Sequence, residues 1–286
     1  MLYLILSIIA LLGLIIATIV DIKIKEIPDV ITYSLVFLGL SIRGIYAIAE
    51  KDAKIFTIAL IYFLIFFALA NILYYTKQWG GGDSKLLIGI AVLFATAPFE
   101  TKIPFVLVIF MNILIVGLLY NLFGAGYLIV KNWKKFILKF KIINKEIKKQ
   151  KYYTFILAII VFLLQFFLDD AILKIMFNAI ALFSLISSYA WAILKSVEEC
   201  CMIKDIPVKN LREGDWIIKD IFIKGKKIYN CKSIGVERKQ IDLLLKAKIK
   251  KVTIKEGFAF APAFLLGVII SLIFKEVILF RLINLI

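Results

Sequence analysis

Long apolar runs, each broken by a short polar stretch, dominate the chain. The runs 2–20, 30–49, 55–75, 86–99, 104–130, 152–168, 171–194 and 258–280 are candidates for membrane-crossing helices, because a helix needs about 20 apolar residues to cross about 30 Å of hydrocarbon. The pattern predicts an all-α polytopic membrane bundle of about six to eight transmembrane helices. The runs 86–99 and 152–168 are the weakest of the set. At 1.5 Å per residue the first of these reaches only about 21 Å. If it crosses, its start, next to Gly80-Gly81-Gly82, sinks below the membrane surface, where non-helical backbone needs protein or a water-filled cavity around it. The first run has no basic n-region and no small-residue cleavage site and is followed at once by more apolar runs, so it reads as a retained helix.

One region has a different rhythm. Residues 215–218, 221–223 and 228–231 read as short strands, with Lys224-Gly225-Lys226 as the turn between the last two. Ile241, Leu244, Leu245 and Ile249 recur at helical spacing, and 252–254 reads as a closing strand. This is a small α+β domain, and about 60 residues give it only a marginal core. The expected organisation is 1–130 as a membrane core, 131–151 as a basic loop or interfacial helix, and 152–194 as additional spans. The α+β domain then fills 195–257, and 258–286 is a last transmembrane helix.

Composition agrees, with 63% of the 286 residues hydrophobic against roughly 45–50% in soluble domains. The net charge of +16 suggests nucleic acid until its distribution is read. Lysines crowd the loops 21–29, 76–85, 131–151 and 195–257, whereas the intervening loops mix Lys51, Lys54 and Lys102 with Glu50, Asp52, Glu100 and Asp169-Asp170. By the positive-inside rule the lysine-rich loops face the cytoplasm. The lipid bilayer, not nucleic acid, is therefore the expected partner, and Asp21 and Asp83 fall on the cytoplasmic side. Trp133, Phe136, Ile137 and Phe140 recur at helical spacing within the lysine run, as in an interfacial helix on anionic lipid.

The chain has no histidine. Ser-His and Cys-His dyads and HExxH zinc sites are thereby excluded. Cys200, Cys201 and Cys231 form no CxxC pair and read as reduced structural thiols, so no metal site is expected. Acidic residues at membrane edges remain. Asp21 closes the first apolar run and Asp83 opens the fourth, directly after Gly80-Gly81-Gly82. Glycine there permits positive φ and close approach of another chain, and an aspartate opening a helix faces the positive end of its dipole. The same pattern fits a capping aspartate or a phosphate cradle, although GxxxxGK[ST] is absent. Asp29, after Pro28, is the expected cap of the second helix. Arg43 is expected to snorkel or to pair within the bundle, and Asn71, Asn112, Asn121, Gln165 and Asn178 to hydrogen-bond between helices.

Asp21 with Ile27-Pro28-Asp29, followed about 60 residues later by Gly80-Gly81-Gly82-Asp83-Ser84-Lys85, resembles the two aspartate motifs of the type IV prepilin peptidases. Gly80 to Asp83 fits their GxGD signature. The likeness is nearest to the archaeal prepilin and preflagellin peptidases, with segments like Leu211-Arg212-Glu213-Gly214-Asp215 and Phe260-Ala261-Pro262-Ala263-Phe264 near the C-terminus. It covers roughly 1–100 and 205–275, and the family is described with six crossings, so 131–194 is extra. Presenilins and signal peptide peptidases share GxGD, but there a tyrosine precedes the first aspartate, where this chain has Val20. The bacterial paired CxxC motifs are missing, which favours peptidase activity alone.

The resemblance implies an aspartic endopeptidase that removes a short basic leader from prepilin or preflagellin subunits. Asp21 and Asp83 would be catalytic, with Gly80, Gly81, Gly82, Lys85 and Pro28 supporting the motifs. Two converging carboxyl groups share a proton because they repel one another; one activates water and the other protonates the oxyanion. No cofactor is required. Glu26 and Asp29, close to Asp21, are candidates for attracting the leader. An ion- or proton-coupled transporter would use the same acids, although transport sites gather near the midplane.

Overall fold

The computed structural model describes every residue except 98, 100, 102, 224, 279, 280 and 282–286. Glu100 and Lys102 of the outer-face charge reading, Lys224 of the expected turn, Pro98 in run 86–99 and the far end of run 258–280 lie outside the described residues. The chain divides into two compact units, residues 1–122 with 258–286, and residues 123–257.

In the first unit, apolar runs become α1 (Leu2–Ile24), α2 (Asp29–Ala49), α3 (Lys54–Tyr75), α4 (Gly81–Leu93), the first part of α5 (Phe105–Lys131), and, near the C-terminus, α10 (Ala261–Phe274). α4 packs against both α2 and α3, and α1 packs against α10 and α2. Every residue of α4 from Leu86 onward is buried, so this helix is the core of its bundle. An apolar surface all round is what such a position requires, and it explains why run 86–99 carries no polar face.

α4 differs from the expected span in two ways. It starts earlier, inside the glycine run, and it stops at Leu93. Arg43 of α2 accounts for the stop. The guanidinium is fully buried and donates from Nε to the Val92 carbonyl at 2.9 Å, from Nη2 to the Leu93 carbonyl at 2.9 Å and from Nη1 to the Thr96 hydroxyl at 2.8 Å. The last carbonyls of a helix have no partner within it, and a cation there also meets the negative end of the dipole. Arg43 therefore pairs within the bundle and does not snorkel.

Of the expected interhelical amides in this unit, Asn112 behaves as such, donating to Ser271 Oγ at 2.9 Å and to the Glu276 carbonyl at 3.0 Å. Asn71 and Asn121 instead donate to carbonyls one turn back on their own helices, an alternative that any helical amide has at hand. At Gly267 of α10, an added Cβ would lie 2.8 Å from Ile113 Cα and 2.9 Å from its nitrogen. Backbone cannot step aside as a side-chain tip can. Gly267→Ala should therefore cost about 1–3 kcal/mol, read as a lower unfolding midpoint in detergent.

The second unit contains the end of α5, α6 (Trp133–Glu146), α7 (Lys148–Leu164) and α8 (Ala171–Val197). Asp170 accepts the Leu173 amide at 2.8 Å and caps α8, and the Asn178 amide of α8 donates to Gln165 at 2.6 Å. The lysine-rich stretch is thus helical. Phe136, of the apolar residues expected to face lipid, packs on Ala125 and Val197, and the neighbouring Ile143 packs on Ala192, so that face is occupied by protein.

A π turn over Glu198–Met202 leads from α8 into the α+β part: β1 (Ile203–Pro207), β2 (Trp216–Ile217), β3 (Ile221–Ile223), β4 (Lys226–Tyr229), α9 (Arg238–Lys246) and β5 (Lys251–Lys255). The sheet order is β1-β5-β2, both pairings antiparallel, with β3 and β4 as a separate hairpin. The expected closing strand is therefore the central one. β1 was not expected: two apolar residues in five, ending in proline, give no readable alternation. All three cysteines are free thiols.

Among the described residues, six helical segments are long and apolar enough to cross a membrane: Leu2–Ile24, Asp29–Ala49, Lys54–Tyr75, Phe105–Lys131, Lys148–Phe167 and Ala171–Met202. α4 and α10 are shorter. Each of the eight expected runs holds a helix, but two of these helices, α4 and α10, are too short to span alone. The chain is a polytopic helical bundle with a small α+β region.

Candidate active site

Asp21 lies in the last turn of α1 and is 6% exposed. The helix ends four residues on, where Lys25 takes a left-handed conformation (φ 57°) and its amide bonds to the Asp21 carbonyl at 2.8 Å. Ile27 then buries, and Pro28, fixed at φ −60°, sets the start of α2. The Asp21 side chain turns to the other end of the sequence. Its Oδ2 accepts the Ala261 amide at 2.9 Å, with the Phe260 amide beside it. Those amides open α10, where backbone donors have no helical partner and the dipole favours an anion.

Asp83 is half-buried in the first turn of α4, and its carboxyl group faces the Gly80 amide. Asp21 and Asp83, 62 positions apart in sequence, lie close enough to interact electrostatically. The structure thus brings together two carboxyl groups, each at the positive end of a helix.

Space, not backbone freedom, explains Gly80 and Gly82. None of Gly80, Gly81 and Gly82 has positive φ; Gly80 is an extended N-cap, and the other two are the first helical residues. A Cβ on Gly82 would lie 2.9 Å from Ile27 Cβ, and one on Gly80 would lie 3.1 Å from Asp83 Oδ2. Gly82 therefore lets the start of α4 close on the Ile27-Pro28 connection.

The remaining expected residues sit around this pair. Lys85 reaches from α4 to Asp29 of α2, Nζ to Oδ1 2.5 Å, with Tyr33 under the ammonium group at 5.2 Å. Asp29 is the first residue of α2 and makes no capping bond, so the cap expected there is replaced by an ion pair. Glu26 is exposed in the α1–α2 connection.

Two aromatic residues escaped sequence reasoning. Trp79, in the connection before the glycine run, packs its ring 5.5 Å from Phe260 and 5.2 Å from Phe264, centroid to centroid. Trp79 thereby ties the approach to Asp83 to the helix that holds Asp21. Tyr120 of α5 also lies within electrostatic reach of Asp21, one turn beyond Gly117, on which the Phe260 ring rests. A lone tryptophan or tyrosine in so aromatic a chain carries no signal of its own. Only the fold places these beside the carboxyl groups.

Residues 8–129, which include both aspartates, match the type IV leader peptidase family. The relatives agree. The prepilin peptidase EppA of Methanothermobacter thermautotrophicus is 24% identical across 97% of this chain and 97% of its own length. The preflagellin peptidase of Methanocaldococcus jannaschii is 33% identical over 86 residues, 30% of this chain and 36% of that protein. The likeness read from the aspartate motifs is thus borne out, in a chain with six helices long and apolar enough to cross a membrane among the described residues.

Proposed function

We propose that this protein is an aspartic endopeptidase that removes the basic leader from prepilin-like or preflagellin subunits, with Asp21 and Asp83 as the catalytic pair. The observation that carries the proposal is the convergence of these two carboxyl groups from α1 and α4 within a bundle of the leader peptidase family. The substrate class rests on the relatives, a prepilin peptidase and a preflagellin peptidase.

The pair works with one proton between its two members, because like charges at close range oppose double ionisation. The ionised carboxylate removes a proton from water as the oxygen attacks the scissile carbonyl. The protonated partner donates to the oxyanion; on collapse of the tetrahedral adduct the amine leaves with the proton that the first carboxyl took from water, and the second carboxylate recovers its proton from the collapsing hydroxyl. The two groups titrate as a unit. Neither a metal nor an organic cofactor enters the cycle.

Charge asymmetry supports a cytoplasmic site. A peptide bond between a basic leader and an apolar helix reaches the same depth as an aspartate at the end of a membrane helix. Glu26 is the better placed of the two leader-attracting candidates, since it is exposed and Asp29 is neutralised by Lys85. Glu26→Gln should raise KM for a basic leader more than it lowers kcat. Asp29→Asn should change cleavage less than about fivefold, since an exposed ion pair contributes about 1 kcal/mol or less.

Gly82→Ala tests the closure of α4 on Ile27. Overpacking of about 1–3 kcal/mol at the turn that carries Asp83 should lower kcat by about tenfold or more, because small misplacements of a catalytic group are costly. Gly126→Ala is the control: nothing lies within 4 Å of the added Cβ, and its turnover should match the parent. The decisive experiment for the reading as a whole is cleavage of a membrane-embedded prepilin by the purified protein.

A further inference from the structure

The lysine-rich helix α6 makes an argument of its own. Residues 131–151 hold nine lysines and a single acid, Glu146. Lys139 is paired with Glu199 at 3.3 Å, but Lys134, Lys135, Lys141, Lys145, Lys148 and Lys149 are exposed and form no ion pair among the described residues. So much unpaired positive charge on α6 and the first turn of α7 calls for an anionic counterpart.

Connectivity says where that helix lies. Asn132 alone joins it to α5, and Ile147 alone joins it to α7, and both neighbours are long and apolar enough to cross the bilayer. A helix tethered so closely between two crossing helices is held where they leave the hydrocarbon. One side of α6 is already covered, with Phe136 and Ile143 buried against α5 and α8. The other side is not polar throughout: Trp133, Leu138 and Ile142 are 57%, 64% and 53% exposed. Leu138 and Ile142 are one turn apart and share their face with Lys134, Lys141 and Lys145 at i, i+3 and i, i+4 spacing. Apolar residues that enter the headgroup layer, flanked by lysines whose stems reach to phosphates, are how a surface helix holds an anionic membrane.

We propose that α6 binds the anionic phospholipid surface through its Lys134, Leu138, Lys141, Ile142 and Lys145 face. A prepilin leader is not the occupant of this face, since basic peptide and basic helix repel.

The full-length protein, reconstituted in mixed phosphatidylglycerol and phosphatidylcholine vesicles, tests this with spin-labelled lipids. Wild type should select labelled phosphatidylglycerol over phosphatidylcholine, and more weakly at high salt. Exchange of Lys134, Lys135, Lys141 and Lys145 for Gln should cut that selectivity by at least about tenfold, since a lysine near an anionic surface is worth up to about fivefold and two of the four suffice for that loss. Selectivity that survives the four exchanges in folded protein would overturn the proposal, as would its absence in wild type. If the quadruple variant does not fold, a nitroxide at Leu138→Cys, with Cys200, Cys201 and Cys231 replaced by Ser, gives the answer. It should be reached by oxygen and shielded from a water-soluble relaxant in anionic bilayers, and free access of the relaxant would contradict the proposal. Prepilin cleavage is a separate measurement, so either reading can fail without the other.

Discussion

Asp21→Asn and Asp83→Asn are each expected to reduce prepilin cleavage by about a thousandfold, within the 10²–10⁴ that a positioned acid or base contributes, while leaving the protein folded and inserted. Asparagine keeps the shape of each side chain. At Asp21 it can still accept the Ala261 amide that now bonds Oδ2 at 2.9 Å, so α10 retains its partner. What the amide cannot do is give up or accept the catalytic proton. The double variant should be no worse than either single one, because groups that act as a unit fail together. Initial rates in proteoliposomes, alongside an unfolding midpoint for each variant, are the measurements. More than about a tenth of parental turnover in either single variant would remove that residue from the chemistry.

The second large effect is on stability, at Arg43. Arg43→Met keeps much of the apolar stem but deletes three hydrogen bonds, two of them to the final carbonyls of α4. Hydrogen bonds to a charged group contribute about 1.5–3 kcal/mol each, and acceptors left buried without partners add to the loss. A drop of at least about 3 kcal/mol is expected, read from denaturation in mixed micelles. Lysine should not rescue it, since a single ammonium cannot copy the guanidinium fork. Because α4 carries Asp83 at its other end, whatever protein folds should also turn over slowly. A shift below about 1 kcal/mol would mean that α4 is held by packing alone.

Much of this architecture is legible in the chain, for definite reasons. Long apolar runs have few alternatives to helices in lipid, so the helical bundle follows from the runs, and short alternating segments mark the α+β region. The two aspartates stand out because they interrupt apolar sequence at its edges. The same logic fails where a residue's role depends on a distant partner. Arg43 looks like a snorkelling side chain until Val92, Leu93 and Thr96 are placed beside it. The glycine run looks like a flexible turn, yet Gly82 is needed because Ile27 occupies the space where its Cβ would stand. The start of α10 gives no sequence sign that its amides face Asp21, since 240 positions separate Ala261 from Asp21. Apolar periodicity in α6 correctly predicts a helix, but it cannot tell a face packed on protein from one that faces lipid.

The most direct test of the peptidase account is to incubate the purified full-length protein, in lipid, with a membrane-embedded prepilin-type substrate and to sequence the N-terminus of the product. The account predicts one new N-terminus, at the junction of the basic leader and the apolar helix, formed by the parent protein and absent with Asp21→Asn or Asp83→Asn. An intact substrate in the presence of folded parent protein, or a cut that persists in both variants, would contradict it.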